Sequence, residues 1–140
     1  MSSELELDSF MSLLDAPSPA VLATYRRDGT VKLSPVWFRY FSGYFEVVIA
    51  DGDVKLKHLS RGPRATLLVF EAVPPFRGVQ VSDEVEMSRA NLDETRRSIT
   101  SRYLDDEASI SFTKSRAGSG VVVRIPDRSA KTWDLAAITS

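Results

Sequence analysis

The chain has 140 residues, no cysteine, one histidine and a formal net charge of −1. These numbers exclude a disulfide scaffold, a thiol nucleophile and thiolate or multi-histidine metal sites, and they provide no overall field to attract nucleic acid. With 43% hydrophobic and 26% charged residues, the composition is typical of one globular domain that spans residues 1–140.

The start of the chain predicts neither export nor membrane insertion. The segment MSSELELDSF is acidic and lacks the basic start and apolar core of a signal peptide. No apolar run approaches the roughly 20 residues that a membrane span needs. We therefore expect a cytoplasmic protein whose partners include neither a membrane nor nucleic acid.

The first part of the chain predicts a helix and then three strands. Ser3 and Glu6 fit a capping box, and the apolar residues that follow recur at helical spacing until Pro17. Tight turns are predicted at Asp28-Gly29 and Ser42-Gly43. The strands that flank these turns are predicted at residues 20–25, 31–41 and 44–50.

The remaining pattern predicts two helices among further strands. A short helix over 53–61 has Asp53 as its N-cap candidate, and a second over 92–104 opens at Asn91. The acids at 105–107 are expected to face solvent, and residues 117–120 are expected to form a flexible connection. Further strands are predicted at residues 65–71, 76–88, 120–125 and 130–138. Strands joined mostly by tight turns indicate a mainly β, antiparallel barrel with attached helices.

The short helix over 53–61 is rich in cations. Lys55 falls in its first turn, where a cation opposes the helix dipole at a cost of about 0.3–1 kcal/mol. A bound anion such as a phosphate would offset that cost, since the free N–H groups of a helix start also attract anions. The alternative interpretation is that the cations, including Lys57, only solvate a surface helix.

Three ring side chains allow two interpretations each. Trp37 and Phe38 fit either a ring-stacking pair or ordinary core and interface packing, and the second is favoured because they point to opposite faces of a strand. His58 fits a surface or interface position better than a metal site or triad, since no second histidine, serine or cysteine lies nearby in a suitable pattern.

The order of motifs resembles the split β-barrel flavin-binding superfamily, whose namesake is pyridoxamine 5′-phosphate oxidase. The resemblance rests on the ordered segments AVLATYRRDGTVKLSPVWF, DVKLKHLSRGPRATLLV and PPFRGVQVSDEVEM. The subgroup that is most similar contains small flavin- or deazaflavin-dependent oxidoreductases, many of which use coenzyme F-420. This resemblance implies a six-stranded Greek-key split barrel, a homodimer, and a cofactor groove between the two protomers.

The resemblance also implies where FMN or coenzyme F-420 would bind. The phosphate-binding lysine of the family falls on Lys55, beside the backbone of Val54, and Phe76 and Arg77 would reach across from the partner. The complete set of implied cofactor-binding residues is Lys32, Ser34, Pro35, Val36, Val48, Ile49, Val54, Lys55, Lys57, Phe76 and Arg77. It contains no catalytic residue and no metal ligand, since the cofactor itself would carry the hydride.

The function expected from this resemblance is hydride transfer between a bound cofactor and a small organic substrate. The VWF segment of the second strand favours the deazaflavin over FMN. Two departures from the family pattern, Asp53 and His58, favour the alternative of a non-catalytic flavin- or haem-binding module. No C-terminal block resembles the substrate-phosphate site of true pyridoxamine phosphate oxidases, so that activity is not expected.

Overall fold

The described part of the chain, residue 7 and residues 9–136 of a computed structural model, contains two antiparallel sheets, four α-helices and one 3-10 helix (Asp127–Ser129). The helices are α1 (Met11–Asp15), α2 (Val54–Arg61), α3 (Leu92–Thr100) and α4 (Asp106–Ser115). The strands are β1 (Ala20–Tyr25), β2 (Val31–Val36), β3 (Arg39–Phe41), β4 (Tyr44–Ile49), β5 (Arg64–Phe70), β6 (Gly78–Glu84), β7 (Glu86–Ser88), β8 (Val121–Pro126) and β9 (Lys131–Trp133). The capping box predicted at Ser3 and Glu6 lies outside the described residues.

The strands divide into two sheets in a mixed chain order. One sheet has the order β2-β1-β5-β6-β9 and the other the order β3-β4-β8-β7, and each pairing is antiparallel. The expectation of a mainly β fold with antiparallel strands and attached helices is therefore confirmed.

The expected count of six barrel strands is not confirmed, because the described residues form nine strands in two sheets. Two of the long predicted strands are each divided in two. The strand predicted at 31–41 breaks at Trp37 and Phe38, and the one predicted at 76–88 breaks at Val85. At each break the chain passes from the five-stranded sheet to the four-stranded sheet, which is how strands make the corners between packed sheets.

The side chains between the sheets form one apolar core. Phe38, Phe45 and Leu67 are each at most 1% exposed, and Leu13 and Leu14 of α1 pack against the same cluster. The guanidinium of Arg102 donates hydrogen bonds to the backbone carbonyls of Leu14, Ala16 and Phe38, which ties the end of α1 to the breaking point of the second predicted strand.

Helix α4 was not predicted. Asp105 is its N-cap, accepting a hydrogen bond from the Ala108 amide at 2.8 Å, and Asp106 and Glu107 lie in its first turn. The three acids thus stabilise a helix start, where the helix dipole favours negative charge. The helix predicted at 92–104 is shorter, ending at Thr100, and Asn91 makes no side-chain cap.

A glycine allows close contact at the edge of the five-stranded sheet. Gly78 of β6 stands opposite Trp133 of β9, and a Cβ atom at position 78 would lie 2.0 Å from Cζ2 of that ring. The indole therefore occupies the space that a side chain at position 78 would fill, and any residue other than glycine there would require the ring to shift.

Candidate functional site

One cleft is walled by apolar strand ends and by cationic helix residues. It has a volume of about 270 Å³ and forms where β2 and β4 end, beside the start of α2 and below α3 and α4. Its lining residues are Pro35, Val36, Trp37, Val48, Ile49, Ala50, Asp53, Lys55, Arg96, Ile99, Thr100, Phe112 and Arg116.

Aromatic rings form one side of this cleft. Trp37 stacks on Tyr103 with ring centroids 5.0 Å apart and an interplanar angle of 9°, and its ring is 5.7 Å from that of Phe112. Val36, Val48 and Ile49 add an apolar floor. A flat, largely apolar ring system fits such a surface, because stacking and burial both favour it.

The start of α2 brings the cleft's lysine and its acid together. The Asp53 side chain accepts a hydrogen bond from the Lys55 amide through Oδ1 at 2.9 Å, and its Oδ2 lies 2.9 Å from Lys55 Nζ. The Lys55 side chain is only 12% exposed. The prediction of Asp53 as N-cap is confirmed, and the same carboxylate gives Lys55 a counter-ion within the chain.

The charge state of Asp53 follows from this pairing. Partial burial by itself raises the pKa of the carboxyl, but the amide and ammonium of Lys55 and the charge of Lys32 outweigh it. The net pKa lies below its ordinary value, so the carboxylate is ionised at neutral pH. An anion that approaches Lys55 therefore has to compete with Asp53.

Arg96 fixes the opposite wall of the cleft. Its side chain is 5% exposed, and its guanidinium donates hydrogen bonds to the carbonyls of Arg116, at 2.9 Å, and Ser119. Asp51 holds the same loop from the other side, accepting from the Gly120 amide at 3.0 Å. Arg116 in turn lies over the Phe112 ring, 3.7 Å from its centroid. The loop between α4 and β8 is thus tied by hydrogen bonds to Arg96 and Asp51, and Arg116 at its start lines the cleft.

The structure gathers five of the eleven predicted cofactor-binding residues in this cleft. They are Pro35, Val36, Val48, Ile49 and Lys55. Ser34 is buried in β2, whereas Val54 and Lys57 are exposed on α2. Lys32 lies near enough to influence the Asp53 carboxylate without lining the cleft.

Phe76 and Arg77 lie outside the cleft of this chain. Arg77 is engaged by Glu71, with Nε to Oε2 at 2.8 Å, and by the hydroxyl of Ser12 at 2.9 Å. Phe76 is 36% exposed and has a left-handed backbone, with φ of 57°. A contribution of these two residues from a partner subunit stays a prediction.

His58 lies neither in the cleft nor at the surface where it was expected. The ring is 5% exposed, and its Nδ1 is 3.0 Å from the Thr24 hydroxyl. Burial, and then the charge of Arg61, lower the pKa of the imidazole below its ordinary value. Of the predicted surface or interface positions, the surface one was wrong because α2 packs this side of the helix against β1, and the interface one stays a prediction.

Several cleft residues were missed at the level of sequence, and signals for them existed. Arg96 shares a helical face with Leu92 and Ile99, at spacings of four and three residues. Phe112 and Arg116 are separated by one helical turn on the unpredicted α4. Recognition of Asp105 as an N-cap would have located that helix.

The two antiparallel sheets with attached helices agree with the fold that the resemblance to the split-barrel superfamily implies. The model of the family described as pyridoxamine 5′-phosphate oxidase matches residues 7–133. The chain belongs to that family, as the resemblance of its motifs indicated. No curated protein sequence matches the chain significantly.

Solved structures share the fold at low sequence identity. A conserved hypothetical protein of Mycobacterium tuberculosis, Rv2991, is 21% identical with a TM-score of 0.79, over 95% of this chain and 87% of that one. An F420 reductase is 20% identical, with a TM-score of 0.65 over 82% and 90% of the two chains. HutZ, a haem storage protein of Vibrio cholerae, is 13% identical, with a TM-score of 0.68 over 94% of each chain. These similarities establish the fold.

Helices long and apolar enough to cross a membrane do not occur within residue 7 and residues 9–136.

Proposed function

We propose that this protein is an oxidoreductase that uses coenzyme F-420 or FMN to exchange a hydride with a small organic substrate. The observation that carries the proposal is the cleft itself, which combines the stacked Trp37 with the partly buried cation of Lys55. A ring system and an anionic tail are the two parts that such a cofactor presents.

The residues of the cleft fit such a group. Trp37, Phe112 and the apolar strand ends would contact the ring system, and Lys55 would hold the phosphate, with Arg116 as a second cation at the rim. When bound, the cofactor supplies hydride chemistry that no ordinary side chain provides. The chain's own contribution is to bind, to orient and to exclude water, and the lining residues include neither histidine nor cysteine.

We propose further that two copies of the chain complete the site. Phe76, Trp133 and Val73 are large apolar side chains that remain 36%, 36% and 61% exposed at one end of the five-stranded sheet. Burial of exposed aromatic side chains is a common source of interface energy. This supports a homodimer in which Phe76 of one protomer covers the cleft of the other.

The alternative is a module that holds the cofactor without turning over a substrate. A haem version of this alternative is less well supported, because Nδ1 of the single histidine contacts Thr24 and the ring does not line the cleft. A flavin or deazaflavin version differs from the enzyme in one measurable respect. An enzyme accelerates reoxidation of the reduced cofactor by a small acceptor, whereas a storage protein leaves the rate at or below that of free cofactor.

Titration of FMN and F-420 against two lysine variants tests the site. Lys55→Ala should weaken binding by about ten- to a hundredfold, since it removes a charge-assisted contact of about 1.5–3 kcal/mol. Lys57→Ala is the matched control, because Lys57 lies on the same helix outside the cleft and should change affinity less than about twofold. Equal losses in both variants, or no binding of either cofactor below millimolar concentration, would refute the proposal.

A further inference from the structure

A second cationic depression lies at the other end of α2. It is open to solvent and has a volume of about 360 Å³. Its lining residues are Tyr25, Arg26, Arg27, His58, Arg61, Gly62 and Arg64. Four of these seven are arginines and none is an acid, in a protein whose net charge is −1.

Two of the groups at this depression are held in place by the fold. Arg26 Nη1 donates to the carbonyl of Val31 at 3.0 Å, which fixes its guanidinium against the β1–β2 hairpin. The His58 ring is buried and lies 3.0 Å from the Thr24 hydroxyl through Nδ1. A ligand would therefore meet a partly preorganised site, which reduces the entropy lost on binding.

Acids near the depression balance part of its charge, since Arg26 acts on the Asp28 carboxyl and Arg64 on that of Asp83. Asp28 accepts hydrogen bonds from the amide and hydroxyl of Thr30, at 3.0 and 2.6 Å. Asp83 accepts two hydrogen bonds from the Arg128 guanidinium in a bidentate salt bridge, at 2.8 and 3.0 Å. Glu84 stands opposite Arg64 in the β5–β6 ladder. The lining itself contains no carboxylate, but, after the hydrogen bonds from Thr30, the charge of Arg26 helps to lower the pKa of the nearby Asp28.

The stability of α2 explains the position of one of these arginines. Arg61 lies in the last turn of α2, where the helix dipole favours a cation. Arg26 and Arg27 come from the β1–β2 turn and Arg64 begins β5, so no dipole of α2 accounts for their convergence. Like charges gathered in one depression repel each other unless an anion joins them.

We propose that this depression binds a small oligoanion with two or more phosphoryl or carboxylate groups. A guanidinium group can donate two parallel N–H hydrogen bonds to a phosphoryl group or to a carboxylate. Several guanidinium groups around one depression therefore suit a ligand with more than one charged group. The depression shares no lining residue with the cleft at Trp37 and Lys55 and lies at the opposite end of α2. The site is therefore separate from the proposed cofactor site, and its test does not depend on that proposal.

The pKa of the His58 ring gives a direct signal of anion binding in this depression. Burial comes first among the causes that lower the His58 pKa, followed by the charges of Arg61, Arg26 and Lys32, and Asp53 acts in the opposite direction. An anion that neutralises the arginines should raise the pKa of the ring. Because the chain contains no other histidine, the ring resonances need no assignment by mutation.

The experiment is an NMR titration of the His58 ring with inorganic pyrophosphate at constant ionic strength. We expect a saturable shift, a higher ring pKa in the saturated protein, and at least about tenfold weaker binding in the Arg61→Gln/Arg64→Gln variant. Both arginines are exposed, so the variant should fold, which its thermal unfolding checks. Lys57→Gln, which removes an exposed charge of α2 outside the depression, is the control and should bind as the wild type does.

Three outcomes would overturn the proposal. These are the absence of a saturable shift, an equal weakening in Lys57→Gln and in the double arginine variant, and binding of duplex DNA or RNA without a response to pyrophosphate. The second outcome indicates a diffuse ionic effect of the helix, and the third indicates a macromolecular partner.

Discussion

Replacement of Asp53 separates two roles of one carboxylate. The group caps α2 through the Lys55 amide and pairs with the Lys55 ammonium, both at 2.9 Å. Asp53→Ala removes both contacts, about 1 kcal/mol for the cap and about 0.5–1 kcal/mol for the partly buried pair. Asp53→Asn keeps a cap and loses only the pair. With an unfolding entropy of about 2.1 cal/mol/K per residue over 140 residues, the melting temperature should fall by about 5–7 °C for alanine and about 2–3 °C for asparagine.

Asp53→Asn should lower the melting temperature but raise the affinity for the cofactor. Loss of the competing carboxylate frees Lys55 for an anionic ligand, which should strengthen binding of F-420 or FMN about five- to tenfold, or roughly 1–1.4 kcal/mol. Calorimetry of unfolding and fluorescence titration of the cofactor measure the two effects separately. If Asp53→Asn weakens binding as much as Lys55→Ala does, Asp53 supports the anion site and the competition derived from the structure is wrong.

Three further predictions concern packing, pH and the cleft wall. Gly78→Ala should cost about 1–3 kcal/mol because its Cβ would overlap the Trp133 ring, and Gly78→Ala/Trp133→Ala should show a favourable coupling energy in a double-mutant cycle. The pKa of His58 is lower in the folded than in the unfolded protein, so protons favour the unfolded state. The free energy of unfolding should therefore fall as pH drops from about 7 through the folded pKa. If urea unfolding of a His58→Asn variant shows the same dependence on pH, its assignment to His58 is wrong. Arg96→Lys cannot span two carbonyls, so the loop at 116–120 should lose amide hydrogen-exchange protection and cofactor affinity should fall; unchanged protection would show that the carboxylates of Asp51 and Asp93 hold the loop without Arg96.

The sequence predicts most of the sheet architecture because its signals are local. The Asp28-Gly29 turn and the flanking apolar runs give β1 its bounds, and Asp53 locates the start of α2. The breaks at Trp37 and Val85 were not predicted, since a bend between packed sheets depends on the far side of the core and leaves no proline or glycine at the position.

The site could be predicted only in part for a similar reason. Strand-end residues such as Val36 and Val48 were predicted from the family resemblance, but Phe112 and Arg116 reach the cleft only through the packing of α4 on α3. The His58 environment also depends on a distant partner, Thr24, which lies 34 positions earlier. Long-range packing of this kind has no periodic signature in one sequence.

We propose that a planar cofactor lies against Trp37 in the cleft. The chain has two tryptophans, and Trp133→Phe leaves Trp37 as the single indole while keeping an aromatic ring over Gly78. We predict that F-420 or FMN quenches the fluorescence of this variant with the same dissociation constant that the cofactor's own signal reports. Binding of the cofactor with no quenching of Trp37 would contradict the account.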